Sequence, residues 1–109
     1  MDRKRKDELQ FRILLALGDR ERNQDEIHNR MVDLFRVSAS RRVPGMVDSL
    51  RALVGDGLIE RLDNGPKRED YLLTAAGHQA CRDEIDLRYR ELDAIDKEVR
   101  RWRVRSVPR

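Results

Sequence analysis

The side chains best able to bind another molecule are the arginines and lysines, and they are unevenly placed. Four basic residues and one acid stand within residues 1–6, giving a net charge of +3. Residues 100–109 hold five arginines and no acid, giving +5. Because the whole chain has a net charge of +3, residues 7–99 have a net charge of −5. Basic ends of this kind are typical of arms that contact a polyanion. The alternative is that they only keep a small protein soluble.

The residue types needed for catalysis or metal binding do not form suitable groups. His28 and His78 have no second ligand at metal-binding spacing, so we interpret them as surface or interface residues. Cys81 is the single cysteine, and its position beside Ala80 favours a small buried residue over a redox switch. There is no glycine-rich phosphate loop and no Ser-His-Asp set. We therefore expect no enzyme activity, no metal and no cofactor.

Length and composition limit the kind of protein this can be. The chain has 109 residues, of which 39% are hydrophobic and 41% are charged. That predicts one domain, with room for an appended element and much solvated surface. One cysteine fits a reducing compartment. With no run near the roughly 18 apolar residues of a membrane span and no signal-peptide core, we expect a soluble, cytoplasmic protein without a membrane partner.

Two helices are predicted before the first basic cluster. The first covers residues 6–17, is apolar on most sides and should therefore be buried, and ends at Gly18. The second starts at a capping box formed by Asn23 and Glu26. Its apolar face is expected to contain Ile27, Met31, Leu34 and Phe35.

A third helix is predicted around a Pro-Gly pair. Ser38 or Ser40 would cap it, Pro44 would lie in its first turn, and Gly55 and Gly57 would end it. We expect the apolar stripe to face the core: Met46, Val47, Leu50, Leu53 and Val54. The opposite face is expected to be small and basic, and so suited to lie against another molecule: Arg41, Arg42, Gly45, Asp48, Ser49 and Arg51.

The rest of the chain predicts a hairpin and a long helix. Residues 58–62 and 70–73 read as strands joined by a turn at Asp63-Asn64-Gly65-Pro66, with Lys67 and Arg68 at the tip. Thr74 would cap a helix over residues 75–102, roughly 40 Å long. A heptad-like stripe on it predicts pairing with a second copy: Ile85, Leu92, Ile95, Val99 and Trp102. For Trp102, stacking on a base stays open as an alternative.

This order of elements resembles a winged helix-turn-helix followed by a dimerisation helix. The stretch REDYLLTAAG is similar to the Arg-x-x-Tyr-x-Leu-Thr-x-x-Gly signature of the wing's return strand in PadR-type regulators and their MarR-type relatives. The matching residues are Arg68, Tyr71, Leu73, Thr74 and Gly77. QDEI replaces the Gly-Tyr-Glu-Ile that PadR proteins often show, and GMV replaces the usual Thr-Leu-Tyr. The resemblance is therefore to the superfamily.

The resemblance implies a mainly α fold with a small β-hairpin. Residues 1–77 would form a winged-helix DNA-binding domain with a basic N-terminal arm, and residues 78–109 a long dimerisation helix with a basic tail. It further implies a homodimeric transcriptional regulator, often a repressor, that binds double-stranded DNA. Some members sense small aromatic compounds, but this sequence gives no independent sign of an effector pocket.

The resemblance and the charge pattern together predict the DNA contacts. These are Arg41, Arg42, Gly45, Ser49, Lys67 and Arg68. For Arg41 and Arg42 the alternative is a solvated, basic helix start. The alternative function is a winged-helix protein-interaction module within a larger assembly. The third helix disfavours it, because a docking module should expose Leu, Phe or Tyr there.

Overall fold

Four helices and three short strands make up the protein. The computed structural model describes residues 2–36 and 44–102, with side chains from residue 8 onward. The elements are α1 (Asp2–Leu17), β1 (Arg22–Asn23), α2 (Gln24–Phe35), α3 (Met46–Gly55), β2 (Ile59–Asp63), β3 (Glu69–Leu73) and α4 (Ala75–Arg101). The predicted fold class, mainly α with a small β element and a long C-terminal helix, is confirmed.

Helix α1 lies at the centre of the core. Its buried side chains point in several directions around the helix, as its continuous apolar pattern predicted: Phe11, Ile13, Leu14, Ala16 and Leu17. The other elements add Ile27, Met31, Met46, Leu50, Leu53, Ile59, Tyr71 and Cys81. The last carbonyls of α1 accept hydrogen bonds from arginine side chains, Leu17 O from Arg22 at 3.0 Å and Ala16 O from Arg30 at 3.3 Å. These bonds satisfy groups that a buried helix end would leave unpaired.

Helix α2 begins as its sequence predicted. The backbone N–H of Glu26 donates to Asn23 Oδ1 at 2.8 Å, and the N–H of Asn23 donates to Glu26 Oε1 at 3.0 Å. Ile27 and Met31 are buried, but Leu34 is exposed, so Leu34 was wrongly predicted to lie on the buried face.

The hairpin belongs to a three-stranded sheet, although only its two strands were predicted. The strands are antiparallel in the order β1-β3-β2, which makes β3 central. Arg22 pairs with Tyr71 and Asn23 with Asp70 on one edge of β3, while Ile59 pairs with Leu73 on the other. The third strand matters because a lone hairpin is only marginally stable in water.

Helix α4 contacts the rest of the domain along its first half and is exposed along its second half. Gly77 and Cys81 are buried and Ala80 packs against the core, whereas every residue from 89 to 102 is exposed. Burial raises the pKa of the Cys81 thiol, which fits the predicted structural role of this residue. The predicted boundary at residues 77 and 78 therefore falls within one continuous helix. Within the described ranges, no helix is long and apolar enough to cross a membrane.

Candidate nucleic-acid interface

Helix α3 presents a different face to solvent from the one predicted. Its buried positions are Met46, Ser49, Leu50 and Leu53, which follow the spacing of one helical face. Ser49 is only 2% exposed, so the prediction that its side chain points outward to DNA was wrong. Val47 was expected in the core but is 48% exposed, and Val54 is 36% exposed. The outward face is therefore made of Val47, Asp48, Arg51 and Val54.

The start of α3 is set by a glycine. Gly45 is the N-cap with φ +78° and ψ 7°, and makes no side-chain cap hydrogen bond, so α3 begins after Pro44 and not before it. Ser38 and Ser40, the expected caps, lie outside the described residues. Glycine adopts this left-handed backbone at no steric cost, because it has no Cβ. Gly45 is exposed, and its predicted DNA contact stays a prediction. Arg41 and Arg42, both predicted to bind DNA, lie outside the described residues.

The loop at the tip of the hairpin covers residues 64–68, close to the turn predicted at residues 63–66. The last strand pair joins Asp63 to Glu69, and the N–H of Asn64 donates to the carbonyl of Arg68 at 3.2 Å. Gly65 and Lys67 both have positive φ, +117° and +63°. Lysine rarely occupies the left-handed region, so the loop holds exposed Lys67 in a strained backbone at the tip.

Arg68 is already engaged within the hairpin. Its guanidinium lies 3.2 Å from Asp70 Oδ2 and 3.7 Å from Glu26 Oε1. The Asn64 amide also donates to Asp70 Oδ2. The hydrogen bonds from Asn64 and Arg68 hold the pKa of the Asp70 carboxyl below its usual value, against the opposing effect of burial. These contacts connect the loop to α2, so Arg68 has a structural role whether or not it also contacts DNA.

The remaining signature residues join β2, β3 and α4. Thr74 Oγ1 accepts from the N–H of Gly77 at 3.1 Å, which confirms the predicted cap, and donates to the carbonyl of Gly57 at 2.7 Å. A Cβ on Gly77 would overlap the carbonyl oxygen of Leu58. Tyr71 is buried in the core. The signature therefore describes how the hairpin attaches to the long helix.

The predicted dimerisation stripe is mostly exposed. Four of its residues are exposed: Leu92, Ile95, Val99 and Trp102. The exposed fraction of Leu92 is 61%, whereas Ile85 is half-buried by its own chain. Arg88, which interrupts the stripe in the sequence, binds α1 instead. Its guanidinium pairs with Glu8 and lies 4.1 Å from the centroid of the Phe11 ring.

Metal chemistry finds no support in the described part of the chain. No group of three or more His, Cys, Asp or Glu side chains there could hold a metal ion. His78 is exposed and His28 is half-buried.

The sequence analysis did not identify Val47 as an exposed residue of α3, and it named Arg51 only as one member of the exposed face. The 3, 4 and 7 spacing of Met46, Ser49, Leu50 and Leu53 was the signal that could have found both.

The chain matches no protein-family model and no curated protein. Its structure is similar to that of a PadR-like transcription factor from Bacteroides fragilis, with a TM-score of 0.69 and 24% sequence identity over 90% of this chain and 95% of that one. It is also similar to RosR of H. salinarum, with a TM-score of 0.59 and 21% identity over 86% of this chain and 94% of that one. A complex structure of hsRosR-S1 gives a TM-score of 0.58 and 22% identity over 83% of this chain and 88% of that one.

These likenesses cover 83% to 90% of this chain. At identities below 25% they establish the architecture. The chain has the winged-helix fold of PadR-like transcription factors.

Proposed function

We propose that this chain is a sequence-specific, double-stranded DNA-binding regulator of transcription that acts as a homodimer and represses. The observation that carries the proposal is the arrangement of α3. One face of this helix is fixed in the core, and the opposite face leaves Arg51 exposed. In helix-turn-helix folds such a helix enters the major groove. The structural neighbour described as a PadR-like transcription factor supports the same function.

The wing supplies the second contact. Lys67 is exposed at the tip of the loop between β2 and β3, where it can reach a phosphate group. Arg68 is proposed to add to this contact, although its pairing with Asp70 and Glu26 already uses part of its hydrogen-bonding capacity. Arg41, Arg42 and Gly45 remain proposed contacts near the start of α3.

The homodimer is proposed from the free part of α4. Apolar side chains at heptad-like spacing are exposed on a segment that its own domain does not cover: Leu92, Ile95, Val99 and Trp102. Pairing with a second copy would bury this stripe, as in a coiled coil. Two α3 helices related by two-fold symmetry would then prefer a two-fold-related site with half-sites about one DNA turn apart.

One observation favours the alternative of a protein-interaction module. Val47 and Val54 make the outward face of α3 more apolar than the sequence predicted. Such a face could contact a protein as well as a base edge. Binding measurements distinguish the two functions. Purified protein should select a two-fold-related duplex from a random pool and bind it more tightly than random DNA. Failure to bind any duplex, even at low salt, would favour the interaction module.

The contribution of the wing is testable without risk to the fold. Replacing Lys67 by glycine (K67G) suits the positive φ, so the variant should fold at least as stably as the wild type. It should bind all duplexes more weakly, and the slope of log affinity against log salt should fall by about one. K97A is the matched control, since Lys97 is exposed on α4 and pairs with Asp93. An unchanged slope in K67G would show that Lys67 does not contact phosphate.

A further inference from the structure

We infer that Val47 and Arg51 are the base-reading pair of α3, with Val47 against the methyl group of a thymine and Arg51 on a guanine. This inference rests on the proposed DNA-binding function and assigns its sequence specificity. Both side chains lie on the exposed face of α3. Ser49, the polar residue that was expected to contact DNA from this helix, is buried.

The spacing of the two residues fits bases about two steps apart. Residues four apart stand one above the other on a helix. They are separated by about 6 Å along its axis, close to two base-pair steps of about 3.4 Å each. The thymine and the guanine should therefore lie within about two base pairs of each other in each half-site.

The chemistry of each side chain selects its base. Val47 carries only methyl groups on an exposed surface, and in the major groove the one apolar group on a base edge is the thymine methyl. Arg51 makes no ion pair with a carboxylate among the described residues, and its guanidinium can bind guanine O6 and N7 together.

The other two residues of the exposed face, Asp48 and Val54, are not assigned a base contact. Asp48 lies in the first turn of α3, where its negative charge complements the helix dipole. Val54 lies near the C-terminal end of the helix, whereas recognition helices contact bases with their N-terminal residues. Val54 therefore provides a matched control for Val47: the same residue type, on the same face of the same helix.

The experiment modifies single atoms of the DNA. In the tightest duplex selected from a random pool, each thymine is replaced in turn by uracil, which lacks the methyl group. Wild-type protein should lose about fourfold in affinity at one thymine of each half-site. V47A should bind the parent duplex about fourfold more weakly and lose nothing further at that position. V54A should keep the wild-type dependence on the methyl group.

The guanine is tested in the same way with 7-deazaguanine, which lacks the N7 acceptor. Wild-type protein should lose affinity at one guanine within about two base pairs of that thymine. R51K keeps the charge but loses the two-bond geometry, so its preference for the selected site should fall by about 5- to 100-fold with little change on random DNA.

The outcomes separate the inference from the proposed function. If wild-type protein binds the selected duplex but no thymine methyl matters, or if V47A keeps the same dependence on the methyl group, the assignment of Val47 is overturned. If R51K keeps the full guanine preference, the assignment of Arg51 is overturned. If wild-type protein binds no duplex, the proposed function itself fails.

Discussion

At position 77 the fold has no space for a side chain. The N-terminal turn of α4 approaches the backbone of Leu58 so closely that a Cβ on Gly77 would overlap its carbonyl oxygen and lie 2.8 Å from Leu73 Cδ1. The obstacle on the Leu58 side is backbone, which cannot rotate away as a side chain can. Gly77 is therefore required by close packing, and Thr74, three residues earlier, caps the same turn.

G77A should lower the free energy of unfolding by about 3 kcal/mol, because β2 and α4 must move apart to accept the methyl group. Urea denaturation measures the difference. G55A is the control, since a methyl group on Gly55 would meet nothing within 4 Å and the residue lies at the end of α3. It should change stability by no more than about 1 kcal/mol, in the stabilising direction. Equal effects of the two substitutions would contradict the packing argument.

At the scale of elements, the hairpin is held to the rest of the domain by polar contacts around one carboxylate. Asp70 is 3% exposed, and its Oδ2 accepts from Asn64 and Arg68. Its Oδ1 is buried and has no partner among the described residues. The ionised form is nevertheless favoured, since these two donors lower the pKa of the carboxyl. The attachment of the hairpin should therefore depend on pH.

The sign follows from the direction of that shift. Because the pKa of Asp70 is lower in the folded state, its carboxylate stabilises the fold above the unfolded pKa, about 3.9. This contribution is lost as the pH falls through the folded-state pKa. D70N should show a smaller decrease in unfolding free energy between neutral and acid pH than the wild type. D63N, which changes an exposed carboxylate at the end of β2, should keep the wild-type decrease. A wild-type pH dependence in D70N would refute this role.

How far the sequence predicted the fold differs from element to element. The caps at Asn23 and Thr74 were predictable, because capping depends on a few neighbouring residues. Strand β1 was missed, because two residues are too few to show an alternating pattern and their partner is distant in sequence. Ser49 was misplaced, because its polarity was given more weight than its spacing, although small polar residues do occur in cores.

At the scale of the whole molecule, the free segment of α4 controls assembly. L92D would place a charge on the exposed stripe, at a cost of about 2–4 kcal/mol if pairing removes it from water. Sedimentation equilibrium should then show a dimer for the wild type at tens of micromolar and a monomer for L92D. L87D is the control, because Leu87 is also exposed but lies on another side of the helix. A monomeric wild type would exclude the proposed dimer.

The close contact between Gly77 and Leu58 has a consequence for how such a dimer would choose its site. Because α4 is fixed to the sheet there, and again to α1 through Arg88 and Glu8, each domain would turn together with its own α4 as one body. The 27 residues of α4 form a lever about 40 Å long. A change of about 5° in the crossing angle of two such levers would move one domain relative to the other by at most about 3.5 Å, one base-pair step along DNA. The residues where the two α4 helices cross would thus determine the number of base pairs between half-sites, although they never approach the DNA.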